Sequence, residues 1–401
     1  MRTAGIICEY NPIHYGHVRH IEKTRQFLGP GSAIACVMSG NFVQRGDVAV
    51  FGRHARAEMA VRCGADLVVE LPAPYALSSA EGFARAGIFI LDSLGFCDAV
   101  SFGSESGDVD ALREAAEAIV TAEADALVRE HLGRGLPYAT AQQRAADSLL
   151  GPRSEVFKSP NNLLGIEYLK AIAALGSRLQ AFTIKREGGG HDGDTGLSSS
   201  AIRKMLLDGV GQGAGLAQAL MLMPDAAAAI CMGEISAGRG PVFMKNAEPA
   251  MLSRLRAIRD FSMLPDATEG LDKRFARYAA SEPTIAEMLE KIKTKRYAMS
   301  RLRRMLMCAC LGITAEDTLA PPPFIRVLAM NAAGRELLNS ARKKATLPII
   351  TKPASVRRLS GRAQDLFEKE AAATDFYALA YPGVAARAGG QEWRQTPVVI
   401  V

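Results

Sequence analysis

Two histidines three positions apart carry the most chemical promise in this chain. His14 and His17 lie in Asn11-Pro12-Ile13-His14-Tyr15-Gly16-His17, after a short apolar run, Ala4–Tyr10, and before a stretch with helical periodicity, Val18–Leu28. An imidazole donates hydrogen bonds to phosphoryl oxygens without being a permanent cation. A strand, a tight loop and a helix start also bring free backbone N–H groups and the positive end of a helix dipole to one place, which favours an anion. Asn-Pro opens the turn, and Gly16 lets the backbone approach something that a Cβ would exclude. One histidine at such a position is usually a cap. Two of them around a glycine, directly after the first strand, point to phosphate chemistry.

A second candidate phosphate loop lies far along the chain. Arg186–Gly196 is too glycine-rich and polar to be regular, and Leu197-Ser198-Ser199-Ser200-Ala201-Ile202-Arg203-Lys204 follows it. Ser199 or Ser200 reads as a helix N-cap, with Ala201–Leu207 behind it. Arg203 and Lys204 in the first turns can meet the outer phosphates of a nucleotide. Three more stretches are unusual: one follows strand two on the same rim, one follows strand four, and one starts a helix. Asn41, Gln44 and Arg45, in Met38–Asp47, can hold a second substrate. Gly103 lets a base or ribose lie against the backbone. In Ser159-Pro160-Asn161-Asn162, Asn161 or Asn162 is a cap or a nucleotide ligand.

These residues need a scaffold, and the first half of the chain supplies one. Buried strands are expected at Ala4–Tyr10, Ala33–Met38, Asp66–Leu71, Asp98–Gly103 and Leu179–Lys185, with helices near 52–63, 78–94 and 161–175. Runs rich in Val, Ile and Phe, bounded by Gly, Pro and Asp, are strands buried on both faces, as in a parallel sheet. Alternation with helices gives βαβ units, and ligands then bind at the carboxyl ends of the strands. Residues 107–150 read as a helical insertion. From about residue 217 strand signals nearly vanish. The expected organisation is a Rossmann-like α/β domain, residues 1–216, followed by a mainly α-helical, basic domain, residues 217–401.

Composition narrows the class. The 401 residues are 48% hydrophobic and 22% charged, with a net charge of +6. That describes a globular protein of two domains, mildly basic. No apolar run reaches a membrane span, and the chain opens without a signal-peptide pattern, so a cytoplasmic location is expected. The seven cysteines are scattered and read as reduced, buried thiols. Cys308-x-Cys310 lacks partners for a zinc site, and no protein metal site is expected. The basic residues are not evenly spread. Residues 291–304 hold seven basic side chains and no acidic one: Lys291, Lys293, Lys295, Arg296, Arg301, Arg303 and Arg304. Tyr297 among them could stack on a base, so this segment is the candidate RNA surface.

His-x-Gly-His after strand one resembles the signature of the nucleotidyltransferase superfamily. The wider set is more specific. AGIICEYNPIHYGHVRH, VMSGNFVQRGDVA, DLVVELPAPYA, FGSESGD, SPNNLLGIEY, LSSSAIRK, EGLDKRF and KTKRYAMSRLRRM together resemble the bacterial tRNA(Met) cytidine acetate ligase family, from the N-terminus to beyond residue 330. The resemblance implies ATP-dependent activation of acetate to acetyl-adenylate, with Mg²⁺ on the phosphates. It further implies acetyl transfer to N4 of the wobble cytidine of elongator tRNA(Met). It assigns ATP to Ile7, Asn11, His14, Gly16, His17, His20, Gly103, Asn161 or Asn162, and Arg186. Ser199 and Ser200 join by the weaker match of the serine motif. His14 and His17 are the expected catalytic pair. The competing readings are a small-molecule adenylyltransferase of cofactor synthesis and a non-catalytic RNA-binding protein that kept a nucleotide pocket. The long basic second half disfavours the first, and intact His14, His17 and Arg186 disfavour the second.

Overall fold

The computed structural model describes residues 1–186, 198–209 and 214–401. Its sheet is built outward from the first strand. The strands are β1 (Thr3–Cys8), β2 (Ala33–Ser39), β3 (Phe42–Val43), β4 (Asp47–Val48), β5 (Leu67–Leu71), β6 (Ala99–Ser104), β7 (Gln180–Lys185), β8 (Ile325–Met330), β9 (Ile349–Ile350) and β10 (Val398–Val399). The main sheet runs β10-β8-β5-β2-β1-β6-β7, with β9 beside β8. The pairs β5-β2-β1-β6-β7 are parallel, as the apolar runs predict. Chain order reverses at β1, because β2 lies on one side of it and β6 on the other. In an open parallel sheet that reversal splays the connecting loops and opens a crevice at the strands' carboxyl ends.

Seven helices matter for the site: α1 (Tyr15–Leu28), α2 (Arg53–Arg62), α3 (Ala80–Ser93), α4 (Pro160–Leu175), α5 (Ser199–Asp208), α6 (Met299–Leu311) and α7 (Gly361–Ala378). Residues 107–150 carry three further helices, Val109–Ile119, Ala122–Gly133 and Tyr138–Leu150. They pack on α4 and share its apolar core with Leu112, Ala115 and Ala145.

The second half is mainly helical, as expected, and it also contributes strands. β8 pairs antiparallel with β5, and β10 pairs parallel with β8, so residues beyond 217 extend the same sheet. The sequence signal was weak because Arg326 interrupts the apolar run Ile325–Met330 and three prolines precede it. Arg326 is buried here because acids from distant segments meet it. It pairs with Glu392 and lies 3.9 Å from Glu70. Arg53, 1% exposed, joins the same cluster through Glu70 (2.8 Å), Glu370 (3.7 Å) and Glu392. Buried charges are tolerated only when paired in this way. The cluster fastens α2, β5, β8, α7 and the C-terminal segment to one another.

Candidate functional site

The crevice at the end of β1 is a cavity of about 760 Å³, a size that suits a nucleotide-sized ligand. Its floor is Ile6 to Asn11, and its sides include His14, His17, His20, Phe102, Gly103, Asn161, Arg186 and Ser198–Ser200. Residues 187–197, the rest of the glycine-rich loop, lie outside the described residues.

The His-x-Gly-His loop is held by its own side chains. His14 is the N-cap of α1, and its Nδ1 accepts from the Gly16 N–H at 3.0 Å. The His14 N–H in turn donates to Nδ1 of His17 at 3.3 Å. This is a capping box with imidazoles where a hydroxyl and a carboxylate usually sit. With both Nδ1 atoms accepting, the neutral rings carry their proton on Nε2. The spacing also explains Gly16. A Cβ there would lie 2.8 Å from Cε1 of His14, so any larger residue pushes the cap away. His20 Nε2 is 2.9 Å from the Ser101 hydroxyl, which ties α1 to β6. Tyr10 packs edge-on against His17 and turns the chain with φ 42°.

All three rings are held neutral. Burial, then the Arg186 charge, pushes His14 and His20 down to about 4. Burial, then His14 and Arg186, lowers His17 well below the usual imidazole range. Neutral His14 and His17, each with Nδ1 occupied and the proton on Nε2, line a cavity with arginines and suit a polyanion that arrives with its own charge.

The remaining expected ligands sort clearly. Ile7 lines the cavity, and Asn11 lines it too, although its Oδ1 accepts from Val50 N–H. Gly103 makes room for Arg186, whose Cγ would be 3.3 Å from a Cβ there. Arg186 N–H bonds Ser104 O at 2.9 Å, which extends β7 to the cavity mouth. Asn161 faces the cavity. Asn162 is buried instead, accepting from the N–H groups of Glu105 and Ser106. Neither asparagine is the N-cap of α4. Ser159 holds that position without a side-chain bond, and the Glu105 carboxylate caps the helix from the next loop.

The serine motif is shifted by one residue from its sequence reading. Ser198, not Ser199 or Ser200, is the N-cap of α5, accepting from Ala201 N–H at 3.1 Å. Ser199 donates to Pro12 O, and Ser200 accepts from Arg203. Arg203 also donates to Asn11 O at 2.6 Å, so α5 is latched to the histidine loop. Asn41 does not reach the cavity. Its side chain accepts from Arg53 N–H and donates to Thr374, whereas Gln44 and Arg45 do line the cavity.

The basic segment divides in two. Lys291, Lys295, Arg296 and Arg303 are exposed. Lys293 is exposed as well, but its ammonium donates to Tyr297 O. The expectation that Tyr297 stacks on a base is corrected by burial. Its ring is 5% exposed beneath Arg301, and its hydroxyl donates to Glu269 O. Arg301 bonds Glu269, Asp266 O and Thr268, and Arg304 pairs with Asp266 at 3.3 Å. These groups brace the 266–269 turn.

The sequence reading put Arg303 on the RNA surface and missed that its helix forms a wall of the cavity. Met299, Ser300 and Arg303 of α6 line the cavity from the second half of the chain. They reach it because the β3–β4 hairpin docks on α6 at Gly46. Its φ is +74°, and a Cβ there would sit 2.3 Å from Arg304 N. Glu9 was also missed. The signal was a lone acid at the end of an apolar strand.

A parallel sheet reversed at its first strand, with two histidines at the reversal and a serine-capped helix opposite, defines a nucleotidyltransferase of the His-x-Gly-His class. The sequence model of the HIGH nucleotidyl transferase family matches residues 1–392. The tRNA(Met) cytidine acetate ligase of Acetivibrio thermocellus is 36% identical, with 100% of both chains covered. That of Thermotoga maritima is 34% identical, with 98% of this chain and 99% of the other covered. A crystal structure of Thermotoga maritima TmcAL bound with alpha-thio ATP superposes with a TM-score of 0.92 at 32% identity, covering 100% of this chain and 99% of that one. The chain belongs to the tRNA(Met) cytidine acetate ligase family within the HIGH nucleotidyl transferases.

Proposed function

We propose that the chain joins acetate to ATP, releasing pyrophosphate, and passes the acetyl group to N4 of the wobble cytidine of elongator tRNA(Met). One observation carries the reading. His14, His17 and Arg186 line one cavity at the sheet's reversal point, in a chain similar along its whole length to ligases of that name. The chemistry follows from the reactants. A carboxylate is a poor electrophile and a cytosine amine a poor nucleophile. Attack of an acetate oxygen on the α-phosphorus makes a mixed anhydride, whose adenylate is a good leaving group. Charge builds on the α-phosphoryl oxygens during that attack. Nε2–H of His14 and His17 and the guanidinium of Arg186 are preorganised donors for it. Ile7, Asn11, Gly16, His20, Gly103 and Asn161 complete the proposed nucleotide site, with Ser199 and Ser200 near the outer phosphates.

Magnesium would be held mainly by the nucleotide's own phosphates, as this ion commonly is. Among the described residues, no three His, Cys, Asp or Glu side chains converge on a metal position. The proposed tRNA surface is the exposed part of the basic segment, Lys291, Lys293, Lys295, Arg296 and Arg303. No described helix is long and apolar enough to cross a membrane.

The test is nucleoside mass spectrometry of elongator tRNA(Met) after incubation with the protein, ATP and acetate. N4-acetylcytidine dependent on both small molecules is expected. Acetylation from acetyl-CoA without ATP, or none under any donor, overturns the reading.

A further inference from the structure

The cavity has a half that a triphosphate does not explain. Glu9 follows β1 directly and lines the same cavity as His14 and His17. A carboxylate here repels phosphate, so another ligand group must account for it. Its position is fixed. Oε1 accepts from Gln44 N–H at 2.6 Å, and its backbone carbonyl accepts from Arg56. Gln44 and Arg45 of the hairpin and Ser300 and Arg303 of α6 line the same cavity. Donors from the hairpin and α6, together with the Glu9 carboxylate, match a cytosine edge. A carboxylate accepts from N4–H₂, and guanidinium or hydroxyl groups donate to O2 and N3.

We infer that Glu9 receives the N4 amine of the target cytidine and takes its proton during acetyl transfer. The inference rests on the acetate ligase reading above. The N4 lone pair attacks the carbonyl carbon of acetyl-adenylate, and the C–N bond forms. The bond from that carbon to the phosphate oxygen breaks, and AMP leaves with the electron pair. One N4 proton passes to Glu9 and on to water. Nothing is oxidised or reduced.

The surroundings suit a base. Arg45 of the hairpin, Arg56 of α2 and Arg203 of α5 favour the carboxylate, and Tyr168 of α4 lies on the same side. Burial outweighs them and pushes the Glu9 carboxyl above its ordinary range, which strengthens it as a proton acceptor. Asp47 is the other acid in the cavity. Its Oδ1 is occupied by Val48 N–H, and Arg203 and Arg303 face it.

The test uses the full chain carrying Glu9→Gln, which keeps the acceptor for Gln44 N–H and the side-chain volume. Two rates are compared: acetate-dependent ATP–pyrophosphate exchange, and single-turnover transfer from prepared acetyl-adenylate to tRNA(Met). Transfer should fall about a hundred- to ten-thousand-fold, and exchange far less. The wild-type transfer rate should rise with pH as Glu9 ionises, and the variant should lose that limb. Glu9→Asp should recover part of the transfer that Gln loses, and Asp47→Asn should not reproduce the loss. Exchange and transfer falling in parallel, or transfer within a few-fold of wild type, overturns the assignment. A wild-type protein inactive in both assays overturns the ligase reading and the inference with it.

Discussion

The rings of His14 and His17 lie with centroids 3.9 Å apart, and the Nδ1 of each accepts a backbone N–H. Two imidazoles this close cannot both be charged without mutual repulsion. The loop therefore works with both neutral and both Nε2 protons available. Acid should act on it in a definite direction. The unfolded chain takes protons on these rings from about pH 6.5 downward, whereas folded His14 and His20 wait until about 4. The unfolded state binds more protons across that window, so stability falls as pH falls through it. Urea midpoints measured from neutral pH down to about pH 4 should decline accordingly.

His17→Gln separates the cap from the chemistry. Glutamine at the third helical position can still accept from the His14 N–H, as in an ordinary capping box. The variant should keep a thermal midpoint near wild type. It should lose exchange activity about a hundred- to thousand-fold, the usual cost of one preorganised oxyanion donor. Near-normal exchange would show that His17 serves only as a cap.

Gly46→Ala tests whether the second half of the chain completes the cavity. The new Cβ meets the backbone of Arg303 and Arg304, and alanine must adopt φ +74°. A loss of about 1–3 kcal/mol in unfolding free energy is expected. Acetyl transfer to tRNA should drop more than acetate-dependent exchange, because α6 is displaced while the histidine loop stays. Equal losses in both assays would separate α6 from the acceptor side.

Replacing Lys291, Lys295 and Arg296 with alanine removes exposed charge and leaves the bracing groups Arg301 and Arg304 in place. tRNA affinity should weaken, and the slope of log affinity against log salt should flatten by about 2. Exchange activity should persist. An unchanged slope would mean that these three side chains meet only solvent.

The buried acid cluster gives an alkaline counterpart. Burial, then Glu70, pushes Glu370 up to about 8. Folded protein then holds a proton that the unfolded chain has released, so stability falls as pH rises from about 4.5 toward 8. Glu370→Gln has no such proton to lose and can still accept from Ala73 N–H. Its urea midpoint should decline less than wild type over that range.

The sequence by itself determined whatever depends on near neighbours. The strand, loop and helix around His14 and His17 are legible because their hydrogen bonds close within three residues. The parallel strands β1, β2, β5 and β6 are legible because burial on both faces demands continuous apolar runs, and edge strand β7 is only partly buried. Tertiary structure decided whatever depends on distant partners. A strand containing Arg326 is stable only where Glu392 and Glu70 meet its charge. Asn161 and Asn162 are adjacent and alike, and both bond Glu105, yet the Glu105 and Ser106 N–H groups hold Asn162 in the interior while Asn161 lines the cavity. The run 291–304 looks uniformly basic, yet the 266–269 turn claims Tyr297, Arg301 and Arg304 and leaves Lys291, Lys295 and Arg296 to solvent. Arg303 joins His14 in one cavity because Gly46 lets a hairpin and a helix touch backbone to backbone. Spacing along a chain carries no record of such contacts, since each depends on where another segment's charge or backbone comes to rest.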